Sequence, residues 1–104
     1  MTHRTRLDPG DRKATILVAA CDAAARFGFA KFSRDSVATM AGVSPALVSH
    51  YFSTMVALRR AVMGEAIRSQ RLRIIAEGIV AGDRRALRAD ATLREAAMRE
   101  AANL

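Results

Sequence analysis

The sequence predicts an all-α protein, a three-helix head with a helix-turn-helix followed by two longer helices. Three observations carry that expectation. Half of the residues are apolar (51%), alanine the commonest among them, with no Trp and 5% aromatics; helices accept this composition, whereas strands need more β-branched and aromatic residues. Apolar residues recur at spacings of three and four. Between Ser33 and Pro45 two capping serines flank a glycine, the punctuation of two short helices joined by a tight turn.

Each element follows from local chemistry. Residues 1–7 form a basic arm carrying His3, Arg4 and Arg6. Asp8 can cap a first helix, with Pro9 at its first position and Asp11 where a capping-box acid sits. This helix is expected to run to Phe27, burying Ile16, Leu17, Ala20, Ala24 and Phe27, and to stop at Gly28. Ser33 caps the second helix, with Phe32 and Val37 as a hydrophobic staple and Val37, Met40 and Ala41 on its inner face. Gly42 ends it and Val43 turns back to the core. Ser44 caps a third helix over residues 45–52, with Pro45 at its first position; Val48 and one of Tyr51 and Phe52 are buried.

Ser53 and Thr54 break the chain and supply the next cap. From Val56 the residues Leu58, Val62, Ala66, Ser69, Leu72, Ala76 and Ile79 keep helical spacing, so one long fourth helix is expected, weakly interrupted at Gly64 and Gly78 and ended by Gly82. Asp83 caps a fifth over residues 84–103, with Leu87, Leu93, Ala97 and Met98 as apolar positions and Leu104 beyond. Residues 1–54 read as a DNA-binding domain and residues 55–104 as a helical dimerisation segment.

Seventeen basic residues, all but two of them Arg, face ten acidic ones, for a net charge of +7. That excess points to a polyanionic partner without choosing among DNA, RNA and a membrane surface. A single cysteine, Cys21, excludes an intrachain disulfide and a multi-thiolate zinc site. No apolar run has the length of a signal or a membrane span, so a soluble, cytoplasmic protein is expected. Two histidines and no carboxylate cluster give neither triad nor metal spacing, so no enzyme and no cofactor are expected.

A helix-turn-helix braces one helix so that a second enters the major groove. Residues 33–52 meet its demands, with Val37 and Val48 bracing, Gly42 turning and Ser44 starting the reading helix. The residues Ile16-Leu17-Val18-Ala19-Ala20, Gly28-Phe29, Ala41-Gly42-Val43-Ser44 and His50-Tyr51-Phe52 carry a specific resemblance. Over residues 12–66 the chain resembles the tetracycline-repressor (TetR) family. The resemblance implies a dimeric, DNA-binding repressor and a phosphate contact from the Tyr51 hydroxyl. It departs at three places: Met55 replaces a phosphate-gripping Lys, Leu47 a Thr of the reading helix, and Ala24 a Phe of the first helix. Arg59, Arg60 or the arm then take over from position 55.

Double-stranded DNA is accordingly the expected partner. Ser44, Pro45, Ala46, Leu47, Ser49 and His50 are expected on the outward face of the reading helix. Pro45, Ala46 and Leu47 suit a thymine methyl, while Ser49 and His50 suit a base edge or a phosphate. Ser33 caps and is placed to meet a phosphate. Arg4 and Arg6 suit an adjacent minor groove, or a solvated terminus. Arginines after Met55 read as a solvated surface with pairs such as Glu95–Arg99. About fifty residues follow Phe52, too few to enclose a pocket within one subunit as well as pair, so no small-molecule inducer is expected. Instead Leu72, Ile75, Ile79, Leu87, Leu93 and Met98 are expected to pair two copies through helices four and five. Two other readings remain open: a shortened module that pairs with a longer relative, which Met55 favours, and a regulator whose pocket forms between subunits.

Overall fold

The computed structural model describes residues 9–103. The expected Asp8 cap, the arm residues His3, Arg4 and Arg6, and Leu104 lie outside them. The described residues are all-helical, without a strand: α1 (Pro9–Phe27), α2 (Arg34–Ala41), α3 (Pro45–Tyr51), α4 (Met55–Arg68), α5 (Leu72–Ala81), α6 (Arg84–Leu87) and α7 (Ala91–Ala102). The all-α class with a helix-turn-helix head is borne out.

Each of the two longer helices is divided once. The first break falls at Gln70, whose backbone is left-handed at φ 59°. Ser69, expected on the inner face, is exposed and ends α4, its Oγ donating to the Glu65 carbonyl at 2.7 Å. The Arg71 N–H reaches back to the Ala66 carbonyl at 2.8 Å. Apolar spacing continues in phase through this turn, so periodicity alone does not show it. Without the break, an unbroken helix over residues 55–81 would be about 40 Å long and would carry Ile74 and Ile75 away from the core they now enter. The second break precedes Asp90, whose Oδ2 accepts the Thr92 N–H at 3.0 Å and starts α7.

One buried cluster joins the head to the helices after it. Ile16, Ala20 and Ala24 of α1, Val37 of α2 and Val48 of α3 share it with Leu58, Val62 and Met63 of α4 and Ile74 and Ile75 of α5. Phe29 and Phe32, between α1 and α2, are buried with ring centroids 6.4 Å apart. At the end of α3, Phe52 is the buried aromatic and Tyr51 is half-buried. Two core expectations and one pairing expectation need correction. Phe27 is 47% exposed, since it ends α1 and lies beside the Arg26 guanidinium, 5.5 Å from its ring centre. Met40 is 40% exposed, because α2 turns Val37 and Ala38 inward instead. Ile75 is buried in this core and is unavailable for pairing.

Two polar contacts tie α5 to α1 and the turn after it. Arg71 pairs with Asp22 at 3.1 Å, and Glu77 Oε1 accepts the Phe29 N–H at 2.7 Å. Gly78 sits where α5 comes closest to its neighbours: a Cβ there would lie 3.0 Å from that of Ala86 and would collide with Met63 Cε.

Candidate nucleic-acid interface

The unit α2–turn–α3 is fixed at both ends by hydroxyl caps. Ser33 Oγ accepts the Ser36 N–H at 3.1 Å while Ser36 Oγ accepts the Ser33 N–H at 3.0 Å, a reciprocal capping box. Gly42 closes α2 with φ 70° and ψ 33°, a conformation a Cβ penalises by about 1–2 kcal/mol. The Val43 N–H then donates to the Ala38 carbonyl at 3.0 Å, satisfying a carbonyl left over at the end of α2. Two residues after Gly42, Ser44 Oγ accepts the Leu47 N–H at 3.1 Å, and Pro45 opens α3.

That geometry sorts the faces of α3. Val48 is buried, and Leu47 and Tyr51 are half-buried against the core. Ser44, Pro45, Ala46 and His50 are exposed, and Ser49 is half-buried. The His50 and Tyr51 rings meet edge to face, with centroids 4.9 Å apart and planes at 82°. Lys13 of α1 holds its ammonium 5.4 Å from the centre of the Phe52 ring, which places a cation beside the C-terminal end of α3. At the other edge Ser33 is exposed. Thr54 caps α4 through the Ala57 N–H at 3.0 Å, so an exposed helix start comes directly after α3.

Residues 16–62 match the model of a family described as bacterial regulatory proteins, tetR family. These residues are a tetR-family DNA-binding domain. The match supports a DNA-binding transcription regulator, and the family is one of regulators rather than enzymes. No curated protein and no solved structure matches the chain. The tetR match begins at Ile16 in α1 and ends at Val62 in α4, so it takes in the whole α2–turn–α3 unit.

Within this tetR-family head, Ser44, Pro45, Ala46 and His50 come together on one exposed surface, with Ser49 at its margin. Leu47 is directed partly into the core and Ser33 stands on the separate start of α2. Arg4 and Arg6 lie outside the described residues. Met55, where the family resemblance implies a Lys, packs half-buried against the core.

Sequence reasoning missed Arg34, the residue after the Ser33 cap. Its Nε is buried and has no acceptor among the described residues; a basic residue at the first position of a capped helix was the available signal. The expected Glu95–Arg99 pair is not formed. The ion pairs among the described residues join Arg68 to Glu65, Arg71 to Asp22 and Arg73 to Glu77. Cys21 lies in the core, its Sγ 3.9 Å from the Val62 carbonyl, and burial pushes its thiol up to about 11. Such a thiol is a packing group, inert as a nucleophile near neutrality. No group of three or more metal-ligating side chains occurs among the described residues.

Proposed function

We propose that the protein is a homodimeric repressor that occupies a near-palindromic operator by placing α3 in the major groove. The observation that carries this reading is the α3 surface, where Ser44, Pro45, Ala46 and His50 stand exposed on a helix locked by Val48, Phe52 and the Ser44 cap. In this reading His50 and Ser49 hydrogen-bond base edges or phosphate, while Pro45, Ala46 and the outer part of Leu47 meet thymine methyl groups. Tyr51 and Ser33 grip phosphates on either side, and Arg4 and Arg6 reach the minor groove. Residues 1–54 read and residues 55–104 pair. The protein acts in the cytoplasm, and no inducer is part of the scheme.

Pairing is supported by apolar surface that the described chain leaves open. Val80 is 80% exposed, and Leu87 and Met98 43% each. Leu87 and Met98 line a groove of about 350 Å³ between α5, α6 and α7, together with Ile79 and Arg94. Arg94 Nε is buried without an acceptor among the described residues, and a lone buried donor costs about 1–3 kcal/mol, which an acceptor from a second copy would recover.

Electrophoretic shifts with a duplex selected from genomic fragments, and with a scrambled control, test the reading. Tighter binding of the selected duplex at physiological salt is expected. Equal affinity for both would favour the alternative of an interaction module that pairs with another family member, which Met55 supports by leaving the start of α4 without its cation.

A further inference from the structure

The arginines beyond the reading unit are not spread evenly over a solvated surface. Arg59 and Arg60 of α4 and Arg84 and Arg85 of α6 line one open groove of about 460 Å³. Arg84 and Arg85 also line a second, adjoining groove, joined there by Arg88. Five guanidinium groups thus share one surface, and none forms an ion pair among the described residues. The two acids nearby are occupied as helix caps: Asp83 Oδ1 accepts the Ala86 N–H at 2.9 Å, and Asp90 Oδ2 accepts the Thr92 N–H.

The cluster is also built into the fold. Arg85 Nη1 donates to the Arg60 carbonyl at 3.3 Å, laying one guanidinium along the side of α4. Gly64 makes this possible, because a Cβ at that position would stand 2.6 Å from Arg85 Nη1. Asp83 and Asp90 line the same grooves and keep their charge as caps, so five cations stand against two carboxylates; the excess of like charge is unfavourable, and an anion ligand relieves that cost. Guanidinium forks match phosphate oxygens in shape as well as charge.

We propose that this α4–α6 arginine surface binds the DNA phosphodiester backbone outside the base pairs met by α3. This rests on the operator reading above. Continuity favours DNA over a free polyphosphate: the first groove starts at Val56, two residues after the Thr54 cap that succeeds α3. From Met55 to Arg59 is one turn of α4, about 6 Å, so the surface continues the line of contact that α3 begins. Met55 itself adds no charge there.

The test measures binding of the full chain to the selected duplex across a salt series. Each phosphate contact contributes about 0.9 to the slope of log K against log salt. Replacing Arg84, Arg85 and Arg88 together by Gln is expected to lower that slope by about 2.7, so that raising salt from 50 to 200 mM costs the variant roughly 40-fold less affinity than wild type. Preference for the selected over the scrambled duplex should persist, with an unchanged helical circular dichroism spectrum. Gly64→Ala keeps every charge yet displaces Arg85, and should lower the slope by up to about 1. An unchanged slope in the triple variant overturns the proposal. So does Arg-dependent calorimetric binding of inorganic triphosphate accompanied by that same unchanged slope, which would assign the surface to a soluble polyphosphate. If wild type fails to prefer the selected duplex while the slope still falls in the variant, the operator reading fails and the arginine surface stands.

Discussion

Glu77 offers the sharpest test of how the head is held. Its carboxylate accepts the Phe29 N–H at 2.7 Å across 48 residues of sequence, joining α5 to the turn that separates α1 from α2. Phe29 is buried, so Glu77→Ala leaves a backbone donor with neither its partner nor free access to water. A hydrogen bond to a charged acceptor contributes about 1.5–3 kcal/mol. The Glu77 side chain is 37% exposed, which argues for the lower half of that range, about 2 kcal/mol. Its contact with Arg73, 4.0 Å away and more exposed still, adds almost nothing. Glu77→Gln keeps an acceptor and should lose less than half as much. For a chain of this size each kcal/mol shifts the melting midpoint by about 4–8 °C, so Glu77→Ala should melt roughly 8–15 °C below wild type. Thermal and urea melts followed by circular dichroism at 222 nm measure both variants. A Glu77→Ala midpoint equal to wild type would show that this contact does not hold the turn.

Three further outcomes are expected. His50→Ala should cost about 1–3 kcal/mol on the selected duplex and relax discrimination at one or two base pairs, whereas Tyr51→Phe should weaken all duplexes alike; wild-type binding by both, in the shift assay, would remove α3 as the reading element. Leu87→Glu with Met98→Glu, both at exposed positions, should give a folded monomer by light scattering with much weaker DNA binding, and a dimer persisting at micromolar concentration would refute pairing through this groove. The Cys21 thiol should resist iodoacetamide in the native protein at pH 8 and react once urea is added. Because folding raises its pKa from 9.0 to about 11, its contribution to stability is complete below pH 9 and is lost as pH rises to 11; Cys21→Ala should flatten that part of the alkaline stability profile, and a profile identical to wild type would contradict the burial argument.

The sequence made the head legible because its signals are local. Ser33, Gly42, Ser44 and Pro45 each act within four residues, and each sits where capping and turn chemistry put it. The second half was harder to read for two physical reasons. Leu72 and Ala76 keep the apolar phase of Leu58 and Val62 across the left-handed Gln70, so one helix and two look alike to periodicity. Asp90 did carry a start signal, but the residues after it, with Leu93, Ala96 and Ala97 at helical spacing, suit a helix interior equally well. At the candidate site, exposure of Pro45, Ala46 and His50 followed from the pitch of α3 once Val48 was placed inside. The clustering of Arg59 and Arg60 with Arg84 and Arg85 depends on how α6 folds back onto α4, a long-range arrangement that charge spacing along the chain does not encode. The link from Glu77 to Phe29 was invisible for the same reason.

The shared core has a consequence for how the protein is made. Ile74, Ile75 and Ala76 belong to the same buried cluster as Ile16 and Ala20, and the turn at Phe29 is held by Glu77. A nascent chain that has emerged only to Val62, where the family match ends, lacks all four of these α5 residues. Single helices form in about a microsecond, but the ribosome supplies about 5–20 residues per second. The stretch from Val62 to Glu77 therefore takes roughly one to three seconds to appear. Throughout that interval the cluster lacks the side chains that α5 contributes, and a ribosome stalled within it would release a fragment with its caps in place and its interior incomplete.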